Sequence, residues 1–265
     1  MPSPTFISGL LYPRMKTSRA GEHLQFINDE WARFQADNPY TVTEKDDPEK
    51  GLHIVSVKLK PGNGHIPIVV GEFAYALRSA LDQLVWQLAL LSGKRPGNKS
   101  SFPIQSGDGD IDRQRFIHAT WNLPCDAISI IKELQPYVRG KASKTHPLWQ
   151  LNKLCNLDKH ATIGISHTLV NIKTSGPPGP IYVRQVVTTA DSHAEVSFPI
   201  GLKGDVQIEP LPPSLVVVKP DEAPGPEFTL PADGLTEIHR FVRDEVLPRF
   251  IKFFPANGAF IVGKP

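Results

Sequence analysis

The sequence predicts an α+β protein, and the segregation of helices and strands along the chain carries that prediction. Helical periodicities dominate the first part, at about 15–160, whereas runs of Val, Ile and Thr broken by Gly and Pro turns dominate about 161–230. A last helical stretch follows at about 234–254. Because helices and strands do not alternate, the order is typical of α+β folds rather than of parallel α/β folds. We expect a single domain over 1–265.

The chain opens with a predicted helix and a predicted hairpin. Apolar side chains recur at helical spacing between about 19 and 35. Pro39 ends this helix, because the residue before a proline avoids the helical region. Two alternating segments at 40–44 and 52–60 then flank a polar turn, which predicts a β-hairpin.

The central helix has the strongest periodicity in the chain. A continuous leucine-rich stripe predicts it from about 68 to 92, and Gly93 is a natural C-terminal stop. Three shorter helices are predicted downstream, at about 113–121, 126–134 and 147–159. Pro147 suits the first turn of the last of these helices, since its missing N–H would be unpaired there anyway.

The β-rich part predicts an antiparallel sheet of roughly four to six strands. Its strands are predicted at about 162–173, 181–189, 193–199, 206–208 and 215–219. In the C-terminal helix, Pro248 is expected to cause a kink or an early end, because proline removes a helical hydrogen bond.

Charge and composition exclude several classes of protein. The formal net charge is only +2 and no long basic block occurs, which argues against electrostatic binding of nucleic acid. Cys125 and Cys155 are too few for a disulfide framework, and we interpret both as buried thiols in a reducing compartment. No secretory signal and no long apolar run is present, so we expect a cytoplasmic protein without a membrane partner. No motif for a metal or a cofactor is found, and none is predicted.

Two helices carry polar side chains that the core does not explain. On the central helix, Tyr75, Arg78, Asp82 and Trp86 lie within about a quarter turn of one another. Arg78 and Asp82 are spaced i,i+4 and can pair, and an arginine so held offers a planar fork to a carboxylate or phosphate. The alternative is an intrahelical ion pair near a helix contact, flanked by core aromatic residues.

The later helix has a similar face, formed by Trp149, Asn152, Asn156 and His160. Asparagines are poor interior helix formers, so two on one face suggest that their amides bind something. His160 lies at the C-terminal end of the helix, beside Asp158, where the helix dipole would favour the protonated imidazole. Its imidazole could act as a general base. The alternative is that His160 caps the helix and that the asparagines bond neighbouring loops.

If the two faces meet, they would enclose one polar pocket for a small polar or anionic ligand. Arg78 would hold the anion, Asp82 would orient a partner, and His160 would act as general base or bind an oxyanion. The ligand-binding residues would be Tyr75, Trp86, Trp149, Asn152, Asn156 and Asp158. A hydrolytic or lyase-type reaction fits such a site, although no nucleophile is singled out.

Several of these stretches resemble a widespread bacterial family of uncharacterised proteins, over about 15–165. The stretches are Gly71 to Trp86, Phe102-Pro103-Ile104, Leu134 to Tyr137 and Pro147 to His160. The positions that match the family pattern are Arg78, Asp82, Asn156, Asp158, Lys159 and His160. Those that depart from it are Tyr75, Ala76 and Gln83. The resemblance implies no activity, but it points to the same two helix faces.

The family's Arg-x4-His run is in turn similar to the helical motif of HEPN proteins, many of which are metal-independent ribonucleases. That similarity implies an RNA- or nucleotide-associated homodimer. In this chain Gln83 replaces the histidine, and glutamine is neither an acid nor a base near neutral pH. Nucleotide binding or a degenerate scaffold therefore remains as the second hypothesis. A non-catalytic interaction module is the third.

Overall fold

The computed structural model divides the chain into two compact units. It describes residues 5–7, 9–37, 40–59, 64–97, 100–107, 109–160, 162–166, 170–173, 181–183, 193–200, 207–210, 214–218, 228–231, 233–254 and 260–262. Unit 1 comprises Met1–Gln25, Val70–Lys159 and Asp233–Pro265, and unit 2 comprises Phe26–Val69 and His160–Ala232. The architecture is α+β, as predicted. The expectation of a single domain stays a prediction.

The helices lie close to their predicted positions. They are α1 Leu11–Ala36, α2 His65–Leu91, α3 Asp110–Thr120, α4 Cys125–Glu133, α5 Pro147–His160 and α6 Gly234–Arg240. α1 begins well before the predicted start, because Pro13, Thr17 and Ala20 are buried at helical spacing. These residues are small or weakly apolar, so they extend the buried stripe without a strong hydrophobic signal.

The strands pair antiparallel throughout the described part of the chain. They are β1 Thr5–Ile7, β2 Tyr40–Asp47, β3 Leu52–Leu59, β4 Thr162–Ser166, β5 Val170–Lys173, β6 Ile181–Val183, β7 His193–Pro199, β8 Gln207–Pro210, β9 Ser214–Val218, β10 Phe228–Leu230 and β11 Phe260–Val262. The β2–β3 hairpin is confirmed.

The single predicted sheet is wrong for these strands. They form three three-stranded sheets, ordered β2-β3-β7, β10-β9-β4 and β6-β5-β8, and a two-stranded ribbon of β1 and β11. The segment predicted as one strand at 162–173 contributes β4 and β5 to different sheets. Of the segment predicted at 181–189, residues 184–189 lie outside the described residues.

The core of unit 1 is built around α2. Phe73, Leu77, Leu81, Leu84 and Leu88 are fully buried along one stripe of this helix, as its periodicity predicts. The other buried apolar side chains of unit 1 include Ile131 of α4, Leu148, Leu151 and Leu154 of α5, and Ile238 of α6. α2 therefore presents its remaining face, which bears the polar residues, away from this stripe.

The C-terminal helical segment changes its hydrogen bonding before it reaches Pro248. α6 ends at Arg240, a π-helical turn follows at Phe241–Val246, and a 3-10 helix follows at Leu247–Phe253. Pro248 lies in the first turn of the 3-10 helix, where it has no N–H to leave unpaired. The helix is disrupted, as predicted, but its α-helical hydrogen bonds already end at Arg240, before the turn that contains Pro248.

The two thiols are not both buried. Cys125, at the first position of α4, is exposed, Cys155 of α5 is half-buried, and neither forms a disulfide. The prediction of two buried thiols is therefore wrong, because the first residue of α4 faces solvent. In the part of the chain that the structure describes, every helix is too short or too polar to cross a bilayer.

Candidate functional site

A hollow lies on the polar face of α2. Its volume is about 220 Å³. It is lined by Tyr75, Arg78, Ser79, Asp82, Gln83, Trp86 and Ser100. All of these residues except Ser100 belong to α2, and Ser100 lies in the loop that follows it. The structure thus brings together all four α2 residues that the sequence singled out, and we call this feature the α2 hollow.

Arg78 and Asp82 hold the backbone of Phe102 between them. Nη2 of Arg78 donates to the carbonyl of Phe102 at 2.8 Å, and Oδ1 of Asp82 accepts from the N–H of Phe102 at 2.9 Å. The same two side-chain atoms lie 3.1 Å apart, so the i,i+4 ion pair is formed as well. Phe102 is fully buried, so water cannot reach its backbone N–H and carbonyl. Arg78 and Asp82 supply the hydrogen bonds that these two groups would otherwise lack.

The loop after α2 is also held from its other side by Gln135. The Gln135 amide accepts from the N–H of Gln105 at 3.0 Å and donates to the carbonyl of Pro103 at 2.9 Å. Gln135 is completely buried, at the end of α4. The segment around Phe102 is therefore fixed to two helices, which makes the loop wall of the α2 hollow a defined surface. Sequence reasoning missed Gln135, although it lies within the Leu134 to Tyr137 motif.

Two residues that line the α2 hollow carry a polar atom without a hydrogen-bond partner among the described residues. Nη1 of Arg78 and Oε1 of Gln83 are buried and have no hydrogen-bond partner among the described residues. At the rim, Tyr75 is 66% exposed and Trp86 is 45% exposed, which is unusual for aromatic side chains on a core helix. One unpaired donor, one unpaired acceptor and two exposed rings are what a small polar ring compound would use.

The predicted α5 residues whose side chains the structure describes do not line the α2 hollow. Trp149 and Asn152 are half-buried, and Asn156 and Asp158 are exposed. The helix ends at His160, but the side chain of His160 lies outside the described residues. The catalytic set of Arg78, Asp82 and His160 therefore stays a prediction.

α5 approaches α2 at a different place, about two turns before Arg78. A Cβ on Gly71 would lie 2.6 Å from Cγ of Asp158, closer than any real contact. Gly71 therefore provides the space in which the Asp158 carboxylate lies against α2. α2 and α5 therefore approach each other at Gly71 and Asp158. Asp158 lies on the opposite side of α5 from Asn152 and Asn156, so the meeting of the two predicted faces stays a prediction.

The buried polar residue of the α5 region is His146. It precedes α5, and its Nδ1 accepts from the N–H of Leu148 at 3.1 Å, which caps the helix. Its ring packs edge-on against Phe241, with ring centroids 5.0 Å apart. Burial, together with a smaller effect of the charge of Arg139, lowers the pKa of His146 to about 4. His146 is therefore a neutral structural imidazole, which the helical pattern alone did not reveal.

Unit 2 holds a second histidine that sequence reasoning missed. His53 of β3 is buried, with Nδ1 2.5 Å from Oδ1 of Asp46 and Nε2 3.1 Å from Oε2 of Glu44. The hairpin register places Asp46 directly opposite His53, which explains the contact. Among the described residues no three His, Cys, Asp or Glu side chains are grouped to hold a metal ion, so we read this as a structural cluster.

No protein-family model, curated protein or solved structure matches the chain. The family resemblance drawn from the motifs accordingly stays a prediction, and any function has to be argued from the geometry of the sites.

Proposed function

We propose that this protein binds a small polar ring compound in the α2 hollow. The observation that carries the proposal is the combination, among the residues that line the hollow, of two exposed aromatic rings with two buried polar atoms that lack hydrogen-bond partners among the described residues. Tyr75 and Trp86 supply the rings, and Arg78 and Gln83 supply the donor and the acceptor. A ligand that stacks on one ring and turns a polar edge inward would satisfy both requirements.

The size of the hollow limits the ligand. At about 220 Å³ it is smaller than the roughly 300–1,000 Å³ typical of sites for drug-sized molecules. It suits a single base or a monosaccharide and excludes a dinucleotide held entirely within it. An intact RNA could place only one base in the hollow.

A planar nitrogen heterocycle fits the hollow better than a sugar does. The free donor of Arg78 and the free acceptor of Gln83 are complementary to an amide-like ring edge, which bears an acceptor next to a donor. Both atoms are buried, so a small side-chain rotation accompanies binding. This ligand class also supports the nucleotide-associated alternative, since the glutamine that replaces the HEPN histidine lines the hollow itself.

Arg78 and Asp82 act here as positioning residues. Their contacts to Phe102 shape the loop wall, and Nη1 of Arg78 remains for a ligand. Among the described lining residues, the carboxylate of Asp82 already accepts from Phe102 and pairs with Arg78. We therefore propose binding rather than proton transfer for the hollow itself. Acid–base chemistry by His160, homodimerisation and a cytoplasmic location are retained as proposals.

The test compares ligand-observed NMR titrations of adenine, cytosine and methyl glucoside with the wild type and two variants. Base–aromatic stacking contributes about 1–3 kcal/mol, so Trp86→Ala should weaken binding of the bases about fivefold or more. Trp121→Ala is the matched control, because Trp121 is also exposed but lies outside the hollow. The proposal fails if neither base binds, if the glucoside binds as well as the bases, or if both variants lose affinity equally.

A further inference from the structure

A second and larger hollow lies between the first half of α1 and the C-terminal helical segment, and all of its lining residues belong to unit 1. Its volume is about 490 Å³. The residues that matter for its chemistry are Arg14, Ser18, His239, Arg243, Leu247 and Pro248. We call it the α1–α6 groove. Among the described residues, it shares no lining residue with the α2 hollow.

Two arginines give the groove its charge. Arg14 is exposed and forms no ion pair with any described residue. Arg243 is held by Asp244 through two hydrogen bonds of 2.8 Å, from Nε and from Nη2. This bidentate contact orients the guanidinium and leaves both N–H groups of Nη1 for another acceptor. The groove therefore presents more than one free N–H donor on cationic groups.

The other described residues of the groove carry no charge. Some are polar, such as Ser18 and His239, and some are apolar, such as Leu247. Nε2 of His239 donates to the carbonyl of Thr17 at 3.0 Å, which fixes the ring against α1. Gly21 eases this approach, because a Cβ there would make a tight contact of 3.3 Å with Nε2 of His239. Burial lowers the pKa of His239 below its ordinary value, so the ring is neutral near pH 7. Leu247 and Pro248 provide an apolar wall.

We propose that the α1–α6 groove binds a small organic anion that carries a carboxylate or phosphate on an apolar body. The anionic head lies between Arg14 and Arg243, whose guanidinium groups suit planar oxyanion recognition. The apolar body lies against Leu247 and Pro248. The volume falls within the range typical of small-molecule sites, which leaves room for both parts. This site is independent of the function proposed for the α2 hollow.

The test measures dissociation constants by isothermal titration calorimetry for four probes. Phenyl phosphate and benzoate carry both an anionic head and an apolar ring, inorganic phosphate lacks the ring, and benzyl alcohol lacks the charge. We expect at least one of the two organic anions to bind at least tenfold more tightly than inorganic phosphate and benzyl alcohol. Which of the two binds more tightly identifies the preferred head group.

Variants then locate the binding in the groove. Arg14→Gln and Arg243→Gln should each weaken binding of the preferred organic anion about tenfold. Asp244→Asn should strengthen it, because the carboxylate that competes for Arg243 is removed. Arg19→Gln is the matched control, since Arg19 is an exposed arginine of α1 that pairs with Glu22 outside the groove. Circular dichroism confirms that each variant is folded.

Three results overturn the proposal. The first is that neither organic anion binds. The second is that inorganic phosphate or benzyl alcohol binds as tightly as the organic anions, since the groove would then not recognise both parts of the ligand. The third is that Arg19→Gln weakens binding as much as Arg14→Gln and Arg243→Gln do, since the effect would then come from overall charge.

Discussion

The two polar stretches that the sequence singled out are used in different ways. On α2, Arg78 and Asp82 turn towards a neighbouring loop and bind the backbone of Phe102. On α5, Asn156 is exposed, the Asp158 carboxylate lies against Gly71 of α2, and the buried polar side chain is His146, just before the helix. Helical spacing therefore identifies which side chains share a face. Whether the charged side chains on that face form structural hydrogen bonds depends on which other segment of the chain packs against it.

The largest expected effect is on the pH dependence of the unfolding free energy, and it concerns His146, the residue just before α5. The pKa of His146 is about 4 in the folded chain, against about 6.5 when the chain is unfolded. Between pH 4 and pH 6.5 the unfolded state binds more protons than the folded state does. The unfolding free energy therefore falls as the pH drops from 6.5 towards 4. From pH 7 to pH 4 the wild type should lose about 3 kcal/mol more unfolding free energy than His146→Asn does. Urea denaturation at both pH values measures the difference.

His146→Asn is chosen because the asparagine Oδ1 replaces Nδ1 as the acceptor for Leu148 and does not titrate. His118→Asn serves as the control, since His118 is exposed on α3. Equal pH dependence in the wild type and in His146→Asn would show that His146 is not a buried neutral cap.

A smaller effect on the unfolding free energy is expected for the contact between Asp82 of α2 and the backbone of Phe102. Asp82→Ala leaves the buried N–H of Phe102 without its acceptor and removes the ion pair with Arg78. The loss of unfolding free energy should be about 1–3 kcal/mol, the cost of an unsatisfied buried donor. The control Glu245→Ala removes an exposed carboxylate and should stay within about 0.5 kcal/mol of the wild type. If the two variants are equally stable, the scaffold contact contributes nothing.

The smallest effect concerns the place where α2 and α5 meet. Replacing a glycine inside a helix by alanine stabilises it by about 1 kcal/mol, but Asp158 occupies the space at Gly71. Gly71→Ala alone should therefore gain little, whereas in an Asp158→Ala background it should gain about 1 kcal/mol. A double-mutant cycle by thermal unfolding measures the coupling, and additive single effects would show that the two positions are not in contact.

The sequence predicted the α2 face well because every member of that face belongs to one helix. Tyr75, Arg78, Asp82 and Trp86 share it by helical geometry alone, and all four line the hollow. The partner of Arg78 and Asp82 could not be predicted, since it is a backbone amide far along the chain and carries no side-chain signal. Gly71 offered a weak signal of close approach, but not the identity of Asp158.

The strands show the same limit. The alternating pattern located β2 and β3, and the polar turn between them predicted the hairpin correctly. The pairing of β3 with β7 could not be predicted, because a two-residue period states which residues share a face and not which distant strand lies alongside. Division of the β-rich segment into several small sheets follows from such long-range pairings.

The proposed binding of a ring compound is tested most directly by the indole resonances in ¹H–¹⁵N spectra during a titration with adenine. We predict a saturable shift of the Nε1–H signal of Trp86, which lines the α2 hollow. The signal of Trp121, which lies beneath Lys94 and does not line the hollow, should stay in place. If the two signals move together in proportion to the adenine added, or if neither moves, the α2 hollow is not the binding site.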